Sequence, residues 1–416
     1  MDGDIGLSVF STSQGCGPLL PDPLRNHLPM RQRIFEHVRA HGHAARADIC
    51  RALGISAGSA TTLTAELIRN GLLREVDLPT REQGRGRPPV ALQIVPEAGF
   101  VVGIKLSNDR NTATLSDFSG AVIASEVTNT QSGKRTLDCT LDQMGVLIEQ
   151  LLTTVGKVAS DIAAVGIGMA GVIDHATGTV RWSPLLDGLD QHFSAAFARR
   201  FGLPLYLEND ANMLTLAELW FGAGRAIPDF AVVTVEDGVG MGLVLGGQLY
   251  RGAWGMGLEL GHTKVQLDGA LCRCGERGCL EAYLADYALV REALTALEIP
   301  SGPDASVLSV LYKQAQGGNP AARAVFARAG KYLSLGLSNV VQLFDPALII
   351  LSCRRMDHDF ITAPGLIADV KRLTLARGQT PCQIEIRPWG DLSWARGATA
   401  RALASVTDTL FSAEAR

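Results

Sequence analysis

One histidine and three cysteines fall within eighteen residues: His262, then Cys272-Arg-Cys274-Gly-Glu-Arg-Gly-Cys279. Three thiolates and an imidazole are a ligand set for tetrahedral zinc, and a site closed by four protein ligands is structural rather than hydrolytic. Cys272 and Cys274 share one tight turn. Gly275 and Gly278 let the chain curl back so that Cys279 reaches the same ion. The competing reading is a set of free buried thiols; the tight spacing and the flanking glycines weigh against it. Cys16, Cys50, Cys139, Cys353 and Cys382 are scattered. The last four are expected to be ordinary interior residues.

Polar residues cluster around this knot in the sequence: Glu208-Asn209-Asp210-Ala211-Asn212, Glu259-Leu-Gly-His262, and Glu281, two residues past Cys279. Carboxylates, amides and an imidazole together offer many acceptors and several donors, as a polyhydroxylated ligand requires. A ligand hydroxyl buried without a partner costs about 1–3 kcal/mol, so such a site selects by counting partners. Each residue alone would read as a solvated loop position.

The elements that position these groups follow from pattern. The chain has 416 residues, 47% hydrophobic and 19% charged, with net charge −4. That excludes wholesale disorder and a coiled-coil rod, and it allows two or three domains. No apolar run is long enough to span a bilayer. Met1 to Leu20 has no basic residue and does not read as a secretory signal, so a cytoplasmic protein without membrane partners is expected. The first 24 residues carry three aspartates and no base, whereas 25–97 carry eleven arginines, no lysine and seven acids. A small basic module therefore precedes an acidic remainder.

Residues 1–23 read as a flexible tail. Residues 24–97 read as a winged helix-turn-helix: a helix from Met30, a second over Arg46 to Leu53, and a third capped by Ser56 and stopped at Gly71. Two wing strands follow, Leu72–Val76 and Val90–Val95. Candidate DNA contacts are Arg46, then Ser56, Ser59, Thr61 and Thr62 on the third helix. Arg81, Arg85 and Arg87 lie in the wing, where an Arg-Gly-Arg-Pro segment suits a narrow minor groove. The alternative for this module is protein docking. From Phe100 onward, apolar runs (Phe100–Leu106, Ala163–Met169, Leu205–Glu208, Ala231–Val235, Ala347–Ser352, Gln383–Pro388) alternate with helical segments, which is α/β grammar in two lobes with a cleft.

The Glu-Asn-Asp-Ala-Asn, Glu-x-Gly-His and Cys-x-Cys-Gly-x-x-Gly-Cys-x-Glu segments, in this order, resemble the ROK family of sugar kinases and sugar-responsive repressors. The resemblance runs from about Ala98 to Ala404, and the N-terminal module resembles that of the family's repressor branch. It implies a two-lobed actin-like (hexokinase-type) α/β domain: 98–222 as the first lobe, 223–390 as the second with the zinc knot, and 391–416 as a C-terminal helix returning to the first. It implies sugar contacts from Asn209, Asp210, Glu259, His262 and Glu281. His262 would use its two ring nitrogens for zinc and sugar. In the family's kinases the residue matching Asp210 is the catalytic base.

The phosphate loops depart from the kinase pattern. Lys105 stands in Gly103-Ile-Lys105-Leu-Ser107-Asn108 where the family's kinases have an aspartate, and Ser107-Asn108 replaces a glycine pair. The second loop is Glu236-Asp237-Gly238-Val239-Gly240, and the third is Ser352-Cys353-Arg354-Arg355. Side chains crowd the approach of phosphates, and carboxylates repel them. No ATP and no catalysis are expected. The expectation is a repressor-type regulator of carbohydrate genes with structural Zn2+, binding operator DNA on the nucleoid as a homodimer or dimer of dimers and answering to a sugar. The alternatives are a sugar kinase with a fused DNA module, a repressor controlled by a protein partner, and a ligand-free DNA-binding protein.

Overall fold

The computed structural model describes residues 15–20, 27–77, 90–130, 133–255, 257–299, 302–352, 364–375, 382–390 and 392–413. The chain divides into two compact units: 1–226 with 246–248 and 391–416, and 227–245 with 249–390.

The first unit opens with α1 (Met30–His41), β1 (Ala44–Ala45), α2 (Arg46–Leu53), α3 (Ala57–Arg69), β2 (Leu73–Asp77) and β3 (Val90–Ile94). This is the element order of a winged helix-turn-helix. The Ser56 side chain accepts from the Ser59 amide and starts α3. The wing is three-stranded, in the order β1-β3-β2, rather than the two-stranded one expected. A two-residue strand of alanines carries no alternation to read.

The rest of the unit is β4 (Phe100–Leu106), β5 (Arg110–Asp117), β6 (Val122–Asn129), α4 (Leu137–Val155), β7 (Ile162–Met169), β8 (Val172–Asp174), β9 (Thr179–Trp182), α5 (Phe193–Phe201), β10 (Leu205–Asn209) and α6 (Asp210–Phe221). Its sheet has the order β10-β7-β4-β5-β6. β4, β7 and β10 are parallel, and β5 and β6 form antiparallel meanders. The apolar faces of α4 and α5 pack on this sheet in one core.

The second unit repeats the plan. It holds β11 (Phe230–Val235), β12 (Val239–Leu245), β13 (Gln248–Tyr250), α7 (Glu281–Leu284), α8 (Asp286–Ala296), α9 (Asp304–Gln316), α10 (Pro320–Phe344), β14 (Leu348–Ser352), α11 (Pro364–Leu373) and β15 (Gln383–Arg387). The sheet order is β13-β12-β11-β14-β15, with β11, β14 and β15 parallel and β12 antiparallel to β11. Each unit is thus a hairpin meander extended by two parallel strands, the duplicated plan of an actin-like fold. The last helix, α12 (Leu392–Ala413), belongs to the first unit.

The DNA-type module is packed against the sheet domain of the first unit. Phe35 of α1 is fully buried between Phe118 and Phe411, with ring centroids 5.3 and 5.6 Å away. Arg39, 3% exposed, donates to the Thr407 hydroxyl of α12 at 2.8 Å and stacks over Trp220. Gln32 donates to Asp408 at 2.7 Å. The expectation of a free tail fails for residues 15–20. Cys16 is buried, its amide donates to the Arg39 carbonyl, and the amides of Gly17 and Leu19 donate to the carbonyls of Trp220 and Arg225. Arg225 returns a bond to the Gly17 carbonyl at 2.9 Å. Glycine and serine content gave no warning, because this strap is held by backbone bonds rather than by an apolar pattern. Cys139 is exposed and so is not an interior residue, Cys50 is half-buried, and Cys382 is half-buried against the second unit's core; Cys353 lies outside the described residues.

Thr407→Val removes one acceptor from a buried guanidinium and should lower unfolding free energy by about 1–3 kcal/mol. Urea unfolding measures this; an unchanged midpoint would mean that the bond adds nothing to docking.

Candidate functional site

In the first unit, the polar segment 208–212 sits where β10 ends and α6 begins. Three strands present their carboxyl ends in register: Lys105 opposite Gly168, and Gly168 opposite Glu208. Such ends are where parallel α/β sheets present ligands. The Asn209 side chain caps α6 by accepting from the Ala211 amide at 2.9 Å, and donates to the Gly171 carbonyl at 3.0 Å. Buried Glu208 accepts from Asn212 at 3.0 Å. Asn209 and Glu208 thus hold the turn, and Asp210 follows as the first residue of the helix. Burial raises the Asp210 carboxyl above its ordinary range, and the Lys105 ammonium pulls partly against this. Lys105 is itself buried, with its ammonium 3.6 Å from the centre of the Trp394 ring.

In the second unit, Gly261 carries the motif. A Cβ there would lie 2.3 Å from the Val239 carbonyl, so the short 3-10 turn Leu260–His262 can sit on the start of β12 only with glycine. Leu258 just before it holds φ +71, an uncommon value for a branched side chain and of the kind found at ligand sites. Glu259 is exposed. The Nδ1 of His262 lies 3.7 Å from Cys272 Sγ, and Cys274 Sγ lies 3.8 Å from Cys279 Sγ. All four ligand atoms fall within 4.8 Å of one another. A tetrahedron with zinc–sulfur bonds of about 2.3 Å has edges of roughly 3.8 Å, so the donor set fits zinc in both chemistry and spacing. Gly278 allows the curl: its φ is +77, and a Cβ would strike the Gln266 carbonyl. Lys264 donates to Cys279 Sγ at 3.2 Å, which suits a thiolate.

Glu281 is buried and held at both oxygens. One accepts from the Val239 amide at 3.2 Å; the other accepts from Tyr287 at 3.4 Å and lies 3.6 Å from Cys272 Sγ. His262 and Glu281 are therefore linked through Cys272. Sequence reasoning missed Tyr287, which carries no motif, and the Lys105–Trp394 contact, which joins distant segments.

In both loops that would face phosphates in a kinase, some of the amides are engaged internally. The Ser107 amide donates to Asn111 at 3.2 Å and that of Arg110 to Asp109 at 2.9 Å. Arg135 closes on the Ser107 carbonyl at 2.7 Å. In the Glu236–Gly240 turn the Val239 amide is taken by Glu281, and that of Glu236 by the Gly238 carbonyl. Of the third loop only Ser352 is among the described residues.

In the N-terminal module, the N-cap Ser56 and Ser59, Thr61 and Thr62 of α3 are exposed. The hydroxyls of Thr61 and Thr62 donate back to the carbonyls of Ala57 and Gly58, which leaves lone pairs and methyl groups facing outward. Arg46 differs from the expected free contact. Its guanidinium bonds Thr64 at 3.0 Å and Glu75 at 2.7 Å, bracing α2 against α3 and β2. Arg81, Arg85 and Arg87 lie outside the described residues.

The chain belongs to the ROK family, whose model matches residues 101–405, the span of the duplicated α/β units and the cysteine cluster. It is 28% identical over 341 residues to a putative xylose repressor of Caldicellulosiruptor sp., covering 78% of this chain and 84% of that protein. It is 30% identical over 289 residues to a glucokinase of Streptomyces coelicolor, covering 66% of this chain and 88% of that protein. A solved ROK family transcriptional regulator, a homologue of the Escherichia coli MLC protein, has the same fold, with TM-score 0.75 at 24% identity over 92% of this chain and 96% of that one. Relatives thus include both regulators and kinases.

The raised Asp210 carboxyl has a consequence for stability. A raised folded-state value favours the fold only where the group is protonated, so stability is lost as pH rises through that value. Asp210→Asn should therefore unfold at higher temperature than the parent at pH about 7, with the gap closing by pH about 3. Calorimetry across that range tests it; a variant less stable at neutral pH would contradict the assignment.

Proposed function

We propose that this chain is a sugar-responsive transcriptional regulator, a repressor of carbohydrate uptake or catabolism genes, and not a kinase. The observation that supports this reading is the state of the two loops that face phosphates in the family's kinases: the Ser107 and Arg110 amides bond Asn111 and Asp109, and the Val239 amide bonds Glu281. Phosphoryl transfer is almost entirely positioning and charge stabilisation of phosphates, so a protein without their cradle has no use for a base at Asp210. Lysine at 105 adds to this, since it pairs electrostatically with Asp210 instead of handling magnesium.

In this reading Asn209, Asp210, Glu259, His262 and Glu281 bind the hydroxyls of a sugar effector. Cys272, Cys274, Cys279 and Nδ1 of His262 hold a structural zinc, which fixes the knuckle and supplies no hydrolytic water. The imidazole's other nitrogen is thereby left for the ligand. The exposed end of α3 reads operator DNA, assisted by the arginines of 81–87, and two copies of the chain serve two half-sites. Coupling has a material route inside the first unit. α6 starts at Asp210 and carries Trp220 in its last turn, where it stacks on Arg39 of α1. α12 starts beside Lys105 at Trp394 and meets α1 through Thr407 and Asp408.

Gel-shift titration on DNA selected from a random library, repeated with pentoses, hexoses, N-acetylhexosamines and their phosphates, tests the function. One class should change operator affinity roughly 5–150-fold; indifference to every sugar would reject ligand control. Cys274→Ser should lower bound zinc by one equivalent per chain, read by elemental analysis, and lower the unfolding temperature; full zinc content in that variant would contradict the ligand assignment.

A further inference from the structure

The DNA-type module carries a second group of metal-type side chains that neither the sugar site nor the cysteine knuckle uses. His37 and His41 are four residues apart on α1, the spacing that puts two imidazoles on one helix face. Their ring centroids are 4.2 Å apart. Gly42 turns the chain at φ +74, and His43 follows. With Asp48 and Arg51 of α2 these three histidines line one surface hollow of about 320 Å³.

Nδ1 of His41 lies 2.9 Å from the His37 carbonyl. An imidazole that donates Nδ1–H to a carbonyl carries its lone pair on Nε2, the arrangement in which ligating histidines are usually held. Against this stands Arg51, which pairs with Asp48 at 3.3 Å. Both side chains are largely exposed, and an exposed pair of this kind is worth little, so a divalent ion competes for the carboxylate.

We propose that His37, His41 and Asp48, with His43 at the rim, form a binding site for a divalent transition-metal ion of the zinc, nickel and copper class, separate from the cysteine knuckle. Imidazole and carboxylate are the ligands such ions accept. His43 and Asp48 are exposed, so their side chains can swing inward without repacking the core. An ion there joins the end of α1 to the first turn of α2, stiffening the module that presents α3.

The test uses the full chain, purified without a histidine tag and with its zinc content measured, titrated with Co2+. Cobalt bound by imidazole and carboxylate gives weak visible bands, whereas cobalt bound by cysteine adds strong near-ultraviolet thiolate absorption. The expected result is one equivalent of Co2+ without the thiolate band, lost in His41→Gln and in His37→Gln and retained in Cys274→Ser. His41 is exposed, so its replacement leaves the fold intact, as the far-ultraviolet spectrum will confirm. No such equivalent, one that survives both histidine substitutions, or one carrying the thiolate band would overturn the proposal. Failure of the zinc reading shows separately, as absence of zinc from the purified parent.

Discussion

A backbone amide has one proton to give, and the Val239 amide gives it to Glu281. That bond organises much of the second unit's polar face. It fixes the start of β12, on which Gly261 seats the turn bearing His262. It also orients a carboxylate whose other oxygen meets Tyr287 and the first cysteine of the knuckle. A phosphate oxygen approaching that turn would have to displace a buried charged acceptor and also face Glu236 and Asp237. Charge-assisted bonds of this kind contribute about 1.5–3 kcal/mol, so displacement is uphill. The Ser107–Arg110 loop repeats the logic with neutral and charged side chains of its own.

The same economy governs the seam between the N-terminal helices and the rest of the first unit. Arg39, Arg225 and Arg396 are all nearly inaccessible, and burial lowers the guanidinium of Arg396 to about 10. Buried cations persist only where acceptors and aromatic faces receive them, here Thr407, the Gly17 carbonyl, Trp220 and Phe221. Removing one partner strands the others, so the docked module behaves as part of the first unit instead of as a bead on a linker. α6 and α12 both pack on α1, through Trp220 and through Thr407 and Asp408.

Much of this was legible in the sequence. The cysteine knuckle was legible by spacing, since one histidine and three cysteines fall within eighteen residues. The buried parallel strands were legible as continuous apolar runs, with ends displaced by a residue or so. β5 was not, because the unit buries polar residues in it, such as Asn111, Thr112 and Thr114; β12 was not, because Gly240 and Gly242 break its apolar run. The strap at residues 15–20 and the clamp role of Arg46 escaped for a related reason. Both depend on partners far along the chain, which composition and periodicity cannot express.

The proposed function requires that the chain bind a carbohydrate and not a nucleotide. Calorimetric titration of one preparation, first with a sugar panel and then with magnesium–ATP, addresses both halves together. The account predicts saturable heat from a sugar and none from the nucleotide, with or without that sugar present. Stoichiometric binding of magnesium–ATP, strengthened by the sugar and followed by turnover at ordinary enzymatic rates of about 1–1000 per second, would contradict it.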